Sequence, residues 1–214
     1  MKRNLIFPIL SMTLVLAACQ KAPAENQDGT SPPTAPGPYR QLYSQAVEEM
    51  PGDGTVFSLI YLNGDDIPEL VVEGQGTYSI YTLKDNTIFC LADTLCTVEL
   101  SYFEKTGVIA KFARWNGGGD EGGYSHYYYQ VSPDSTLTED TVPVLSYSYD
   151  AIYNEDGTYS GEGATLYYHM GQEIEETAYQ EKLSQLGIAG GAGTACLENA
   201  LGKEELKNLL RSGA

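Results

Sequence analysis

From Val56 to Tyr153 the chain is written almost entirely in short apolar or alternating segments, each closed by a turn signal. "VFSLIYL" and "PELVVEG" are near-continuous apolar runs, as strands covered on both faces are. "TYSIYTL" alternates, with Tyr78, Ile80 and Thr82 on one side and Ser79, Tyr81 and Leu83 on the other. "TIFCLAD", "CTVELSYF", "GVIAKFARW", "YSHYYYQV" and "VPVLSYSYDAIY" continue the series, separated by "KDN", "EKTG", "NGGGDEGG", "SPDS" and "NEDG". Tyr and β-branched residues suit half-buried strands. Consecutive hairpins of this kind predict one long, curled antiparallel meander sheet.

The ends switch to a helical period. In "YRQLYSQAVEEM", Leu42, Tyr43, Ala46, Val47 and Met50 fall at helical spacing over 39–50, and "PGDGT" stops the run. In "EETAYQEKLSQL", Ala178, Tyr179, Leu183 and Leu186 make one face over 175–186, with Gly187 as the cap. "GIAGGAGT" reads as a loop. A last helix over 203–211 turns Leu206, Leu209 and Leu210 inward. The expected fold is therefore α+β: an N-terminal helix, the curled antiparallel meander sheet, and C-terminal helices packed on the sheet.

The first 38 residues belong to a different regime. Lys2 and Arg3 precede an uncharged, mostly apolar run from Leu5 to Ala18. That is short for a spanning helix, which needs about 20 residues. It has the form of a signal peptide over 1–18. The run closes on Leu16, Ala17, Ala18 and Cys19, which resembles the bacterial lipobox. The resemblance implies cleavage before Cys19 and a thioether-linked diacylglycerol on its sulfur. Gln20 stands where Asp would resemble an inner-membrane retention signal. Residues 19–38 follow as a Pro-, Gly- and Ser-rich tether too polar to bury a core. Fully extended, it would reach up to about 55 Å at ~3.1 Å per residue. One α+β domain over 39–214 remains, long enough to bury a core.

Charge narrows the partners. The 214-residue chain carries 12 basic and 29 acidic residues, a formal charge of −17. Without Lys2 and Arg3, ten basic residues stand against 29 acidic ones, about −19. No basic patch survives that balance, so no nucleic-acid partner is expected. An anionic membrane surface would repel the domain, which leaves lipid as the means of attachment. Such acidity suits cations or basic peptides, and equally keeps a surface protein soluble. Cys90, Cys96 and Cys196 show no zinc spacing. Cys90 and Cys96 flank a turn and would suit a local bridge; small buried thiols are the other reading.

"LNGDDIPELVV" resembles the acidic turn of calcium-loop and FG-GAP-like repeats. Phe57 to Cys90, with "YSIYTLKDNTI", and "LYYHMGQEIEETAYQEKL" further on also resemble exported, largely uncharacterised lipoproteins of Firmicute type. That resemblance implies an extracytoplasmic α+β domain and little about activity. Carried over position by position, the calcium pattern puts Asn63, Asp65 and Glu69 at ligand positions. Tyr61 stands at the first ligand place and Asp66 at the glycine. Calcium takes six to eight oxygens, more than this set supplies, so Ca2+ remains one reading. A tight structural turn, which Asn-Gly and Asp-Asp also suit, is the other.

"WNGGGDEGGYSHYYY" pairs a glycine-rich loop around Asp120 and Glu121 with aromatics. Trp115, Tyr124, Tyr127 and Tyr128 would stack on a sugar or peptide, or else fill the sheet faces. The alternation puts Tyr127 and Tyr129 on one face and His126 and Tyr128 on the other. No catalytic residue stands out. His126 and His169 lack a GxSxG elbow, and no HExxH occurs. A binding or interaction module is the leading expectation, lipid-anchored at the extracytoplasmic face of the cell membrane, with a surface protein or glycan as partner. A small hydrolase of surface polymers and a calcium-stabilised structural module are the alternatives.

Overall fold

The computed structural model describes residues 37–97, 99–116, 122–191 and 193–212. The chain enters through α1 (Pro38–Glu49), with Pro38 at the first helical position, where its missing N–H costs nothing. Four strands follow as a meander: β1 (Thr55–Ile60), β2 (Glu69–Gly74), β3 (Thr77–Lys84) and β4 (Thr87–Cys96). The next six strands are β5 (Glu99–Phe103), β6 (Val108–Asn116), β7 (Gly122–Gln130), β8 (Leu145–Tyr153), β9 (Tyr159–His169) and β10 (Gln172–Ile174). After α2 (Glu176–Gln185), the short β11 (Thr194–Ala195) pairs with β5, and α3 (Lys203–Ser212) ends the fold.

The architecture is mixed α+β, and every pairing between strands is antiparallel. The strands form two sheets, however, not one. Sheet 1 is β1-β2-β3-β4; sheet 2 is β10-β9-β8-β7-β6-β5-β11. The break has a local cause in β4. Tyr78 pairs with Leu95, Ile80 with Ala92 and Tyr81 with Cys90, so β4 carries two residues more than β3 over the same span. Thr94, at φ 50°, sits in the bulge between Ala92 and Leu95. Bulges bend a strand and increase its twist. β4 thus turns out of the plane of its sheet, and β5 starts a new one.

The two sheets pack face to face. Ile60, Val71, Tyr78 and Ile80 of sheet 1 meet Leu100, Ile109 and Tyr129 of sheet 2, with Leu137 and Cys196 closing the same core. The other face of sheet 1 turns Phe57 and Leu70 onto Tyr43 and Val47 of α1 and Leu206 and Leu210 of α3. On sheet 2, Phe103, Val108 and Ala110 pack against Leu183, Leu186 and Ile188. The helices after the strands therefore divide, α2 on sheet 2 and α3 beside α1 on sheet 1. Gly187, at φ 75°, caps α2: its N–H reaches Ser184, and that of Ile188 reaches Leu183. Among the described residues no helix is long and apolar enough to cross a membrane.

Candidate functional site

Sheet 2 has an outer face that α2 covers only in part. Its register builds cross-strand rows. Glu99, Phe112, His126, Tyr147 and Tyr167 stand opposite one another on β5 through β9. The neighbouring row on the same face runs Ser101, Ala110, Tyr128, Leu145 and His169. A third begins with Arg114, Tyr124 and Tyr149. Period-2 alternation alone puts these side chains on one side.

The large rings of the first row stand in file. Phe112 and His126 lie 4.8 Å apart between centroids, and His126 and Tyr147 stack at 4.8 Å and 9°. Tyr147 continues to Tyr167 at 6.3 Å, and Tyr179 of α2 packs on both, 5.9 and 4.8 Å away. In the third row Tyr124 stacks on Tyr149 at 5.3 Å. Aromatic pairs at these spacings hold one another in place.

The file ends at β5, where Glu99 has no ring. In the next row Ser101 and Ala110 are too small to fill the space beside Phe112. The result is a cleft of about 480 Å³ lined by Glu99, Ser101, Ala110, Phe112, His126, Tyr128, Tyr147 and Gly191. Burial holds the His126 imidazole below its ordinary range, although Glu99 pulls the other way. Burial pushes the Tyr147 phenol up to about 12 and raises Tyr128 as well. At neutral pH the aromatic walls are therefore uncharged, and Glu99 is the acidic side chain of the lining. Behind the wall, burial pushes the Tyr179 phenol well above its ordinary range, and its hydroxyl lies against that of Tyr128, which shares a side-chain hydrogen bond with it.

The expected aromatic set divides. Tyr124 and Tyr128 lie on the outer face, and Tyr128 lines the cleft. Tyr127 points to the opposite face and packs against the core between the sheets, so it drops out of the candidate set; neighbours in a strand cannot share a face. The Trp115 backbone pairs with Gly123; its side chain, Asp120 and Glu121 lie outside the described residues, as does Cys19. Glu99, Ser101, Ala110, Phe112, Tyr147 and Gly191 were not anticipated.

The acidic turn does bring Asn63, Asp65 and Glu69 together. Glu69 is fully buried. Its Oε2 accepts from the Leu62 N–H at 2.8 Å, and its Oε1 accepts from Asn63 Nδ2 at 2.8 Å and from Thr82 Oγ1 at 3.2 Å. Asn63 Oδ1 accepts from the Asp65 N–H at 3.0 Å, and Asp65 Oδ1 from the Ile67 N–H at 2.9 Å. These are Asx turns. The amide of Asn63 presents N–H, not oxygen, to the Glu69 carboxylate. Lys105 fastens the turn to sheet 2, its N–H bonding the Tyr61 carbonyl and its ammonium Asp66. No group of three or more His, Cys, Asp or Glu that could hold a metal occurs among the described residues. Cys90, Cys96 and Cys196 are free thiols.

Comparison with protein-family models, with curated proteins and with solved structures returned no match.

Proposed function

We propose that the chain is a lipid-anchored binding module of the cell membrane, held at the extracytoplasmic face through Cys19, and that the cleft on the outer face of sheet 2 is its binding site. The observation that carries the reading is the composition of that cleft: aromatic side chains and one carboxylate around a floor of Ser101 and Ala110. Concave, aromatic-lined sites with few polar groups are where proteins take small ligands or protruding side chains. The partner is a surface protein or glycan that inserts a group there.

A small hydrolase of surface polymers would use a His-carboxylate pair, and Glu99 and His126 do line the same cleft. The register puts Phe112 between them, one strand from each. Strand spacing separates the two backbones by roughly 10 Å. That arrangement supports recognition over acid–base relay. The calcium-stabilised alternative rests on Asn63, Asp65 and Glu69, whose oxygens already accept hydrogen bonds within the turn.

The test uses the detergent-solubilised full chain and envelope material from its own cells. Gly191 takes a β-carbon at 3.5 Å from Phe103, an ordinary contact, so Gly191→Leu adds bulk at the cleft, with its fold checked by circular dichroism because Phe103 belongs to the core. Ala110→Leu narrows it from the floor, and its fold is checked in the same way because Ala110 also packs with Val108 and Ile188. Both variants are expected to lose retention on the material, whereas Tyr127→Phe, on the inner face, retains it. Equal retention by blocked and unblocked chains would remove the proposal.

A further inference from the structure

The cleft lining carries a charge signature, and resting on its reading as a binding site, we infer that the group it accepts is an organic cation, an alkylammonium head. Three observations converge. Among the described residues Glu99 is the lining's acidic side chain, and no Lys or Arg lines the cleft. Phe112 and Tyr128 supply aromatic rings to the lining, and such rings attract a cation. The chain as a whole bears −17 formal charge, which concentrates cations around it.

The ring geometry argues against a flat sugar as the group taken. His126 and Tyr147 stack on each other at 9°, so their facing surfaces are used between themselves and no broad tabletop is left across β7 and β8. What the site offers is a cleft with an aromatic lining and one carboxylate, a composition that suits a compact cation. Its volume of about 480 Å³ is ample for a trimethylammonium head with a short tail.

His126 makes the binding depend on pH. Its surroundings are Glu99 from β5, Phe112 and Arg114 from β6, Tyr124 and Tyr128 from β7 and Tyr147 from β8. The imidazole is neutral at neutral pH and gains charge on acidification, below its ordinary value of 6.5. A charged imidazole in the wall repels a cationic ligand, so affinity falls as pH drops. Arg114, exposed and one row along beside Tyr124, is a standing repulsive charge on the same face.

The experiment titrates the full chain with choline and, separately, with 3,3-dimethylbutanol, its neutral isostere, by calorimetry at neutral pH. Choline is expected to bind at least about tenfold more tightly than the alcohol, since the two differ only in charge. Glu99→Gln and Phe112→Leu should each weaken choline roughly tenfold with the fold intact by circular dichroism. Arg114→Ala should strengthen it, and acidification through the His126 titration, which lies below 6.5, should weaken it in wild type. Equal binding of both probes would mean an apolar slot and would overturn the inference, as would binding of neither. If neither binds while Gly191→Leu still abolishes retention on envelope material, the ligand class is wrong and the cleft stands. If Gly191→Leu changes nothing, the cleft itself is wrong.

Discussion

Glu69 is a carboxyl group buried among hydrogen-bond donors, with no cation beside it among the described residues, and its titration is tied to stability. Burial pushes it up to about 7 against an ordinary 4.5; the Leu62 N–H and Thr82 hydroxyl oppose the rise, and the nearby Asp65 adds to it. Below 4.5 the folded and unfolded chains are both protonated at this site. Between 4.5 and about 7 the folded chain holds the proton that the unfolded chain has lost, so stability falls as pH rises, by roughly 3 kcal/mol across the window. Denaturant melts of wild type and Glu69→Gln from pH 4 to 8 should show that slope in the former and lack it in the latter. Gln replaces one of the two oxygens by an NH2 that cannot accept, so one of the donors from Leu62, Asn63 and Thr82 loses its acceptor and the variant should also lose about 1–3 kcal/mol. Calcium at millimolar concentration should leave the wild-type melting temperature unchanged; a rise of several degrees that Asp65→Ala abolishes would restore the calcium reading. A second residue fixes the outer face. A β-carbon on Gly163 would lie 2.1 Å from the Tyr149 ring, which crosses above it. Gly163→Ala should swing Tyr149 off Tyr124, lowering stability by about 1 kcal/mol, as read from melts and from the Tyr124 ring resonances. At this scale the sequence showed which residues crowd into the acidic turn, because Asn63, Asp65 and Glu69 lie within seven positions. It did not show that Thr82, on the next strand, completes the buried carboxylate's set of donors.

At the scale of elements, the edge of sheet 1 is guarded by a loop. Between β7 and β8 the chain returns so that Leu137 bridges Ala92 in parallel, its N–H on the Leu91 carbonyl at 2.8 Å and its carbonyl on the Asp93 N–H at 2.9 Å. Two residues on, Glu139 accepts from the Cys96 N–H at 2.6 Å and from the ammonium of Lys111, whose side chain is 11% exposed. An uncovered edge with this much apolar content would invite pairing with other chains. Leu137→Ala should cost about 2–4 kcal/mol, because the side chain is 5% exposed within the core between the sheets. Glu139→Ala leaves the Lys111 ammonium without its partner and should cost about 1–3 kcal/mol; both are read by denaturant unfolding. Helix α2 was legible from its period and its glycine cap, and α3 from its leucines, since these signals are local. The strands from β1 to β8 were legible too, by alternation and turn residues, whereas β9, β10 and β11 were not: β9 carries Gly161 and Gly163, and the other two are only three and two residues long. The division of the strands into two sheets was not legible either, because it depends on where β4 bulges. The cleft was hidden for the same reason. It exists only once β5, β6, β7 and β8 are in register, and no local pattern aligns Glu99 with Phe112, His126 and Tyr147.

The molecule as a whole combines a strongly acidic body with a tail that reads as a lipid anchor. If the Leu16 to Cys19 stretch is processed as a lipobox, Cys19→Ser should leave an uncleaved precursor on gels and remove acyl label from the chain; normal cleavage of that variant would end the anchoring proposal. The anchor and the cleft can be tested separately, because the one is a covalent modification of Cys19 and the other a surface of sheet 2. The sharpest test of the cleft uses the two histidines, His126 in its wall and His169 at the far end of the Tyr128 row. Reaction of the full chain with diethyl pyrocarbonate, followed by peptide mass analysis with and without soluble envelope fragments, gives each imidazole its own rate. Protection of His126 alone is the predicted result. Unchanged rates at both, with the fragments demonstrably bound, would contradict the cleft as the place where this protein meets its partner.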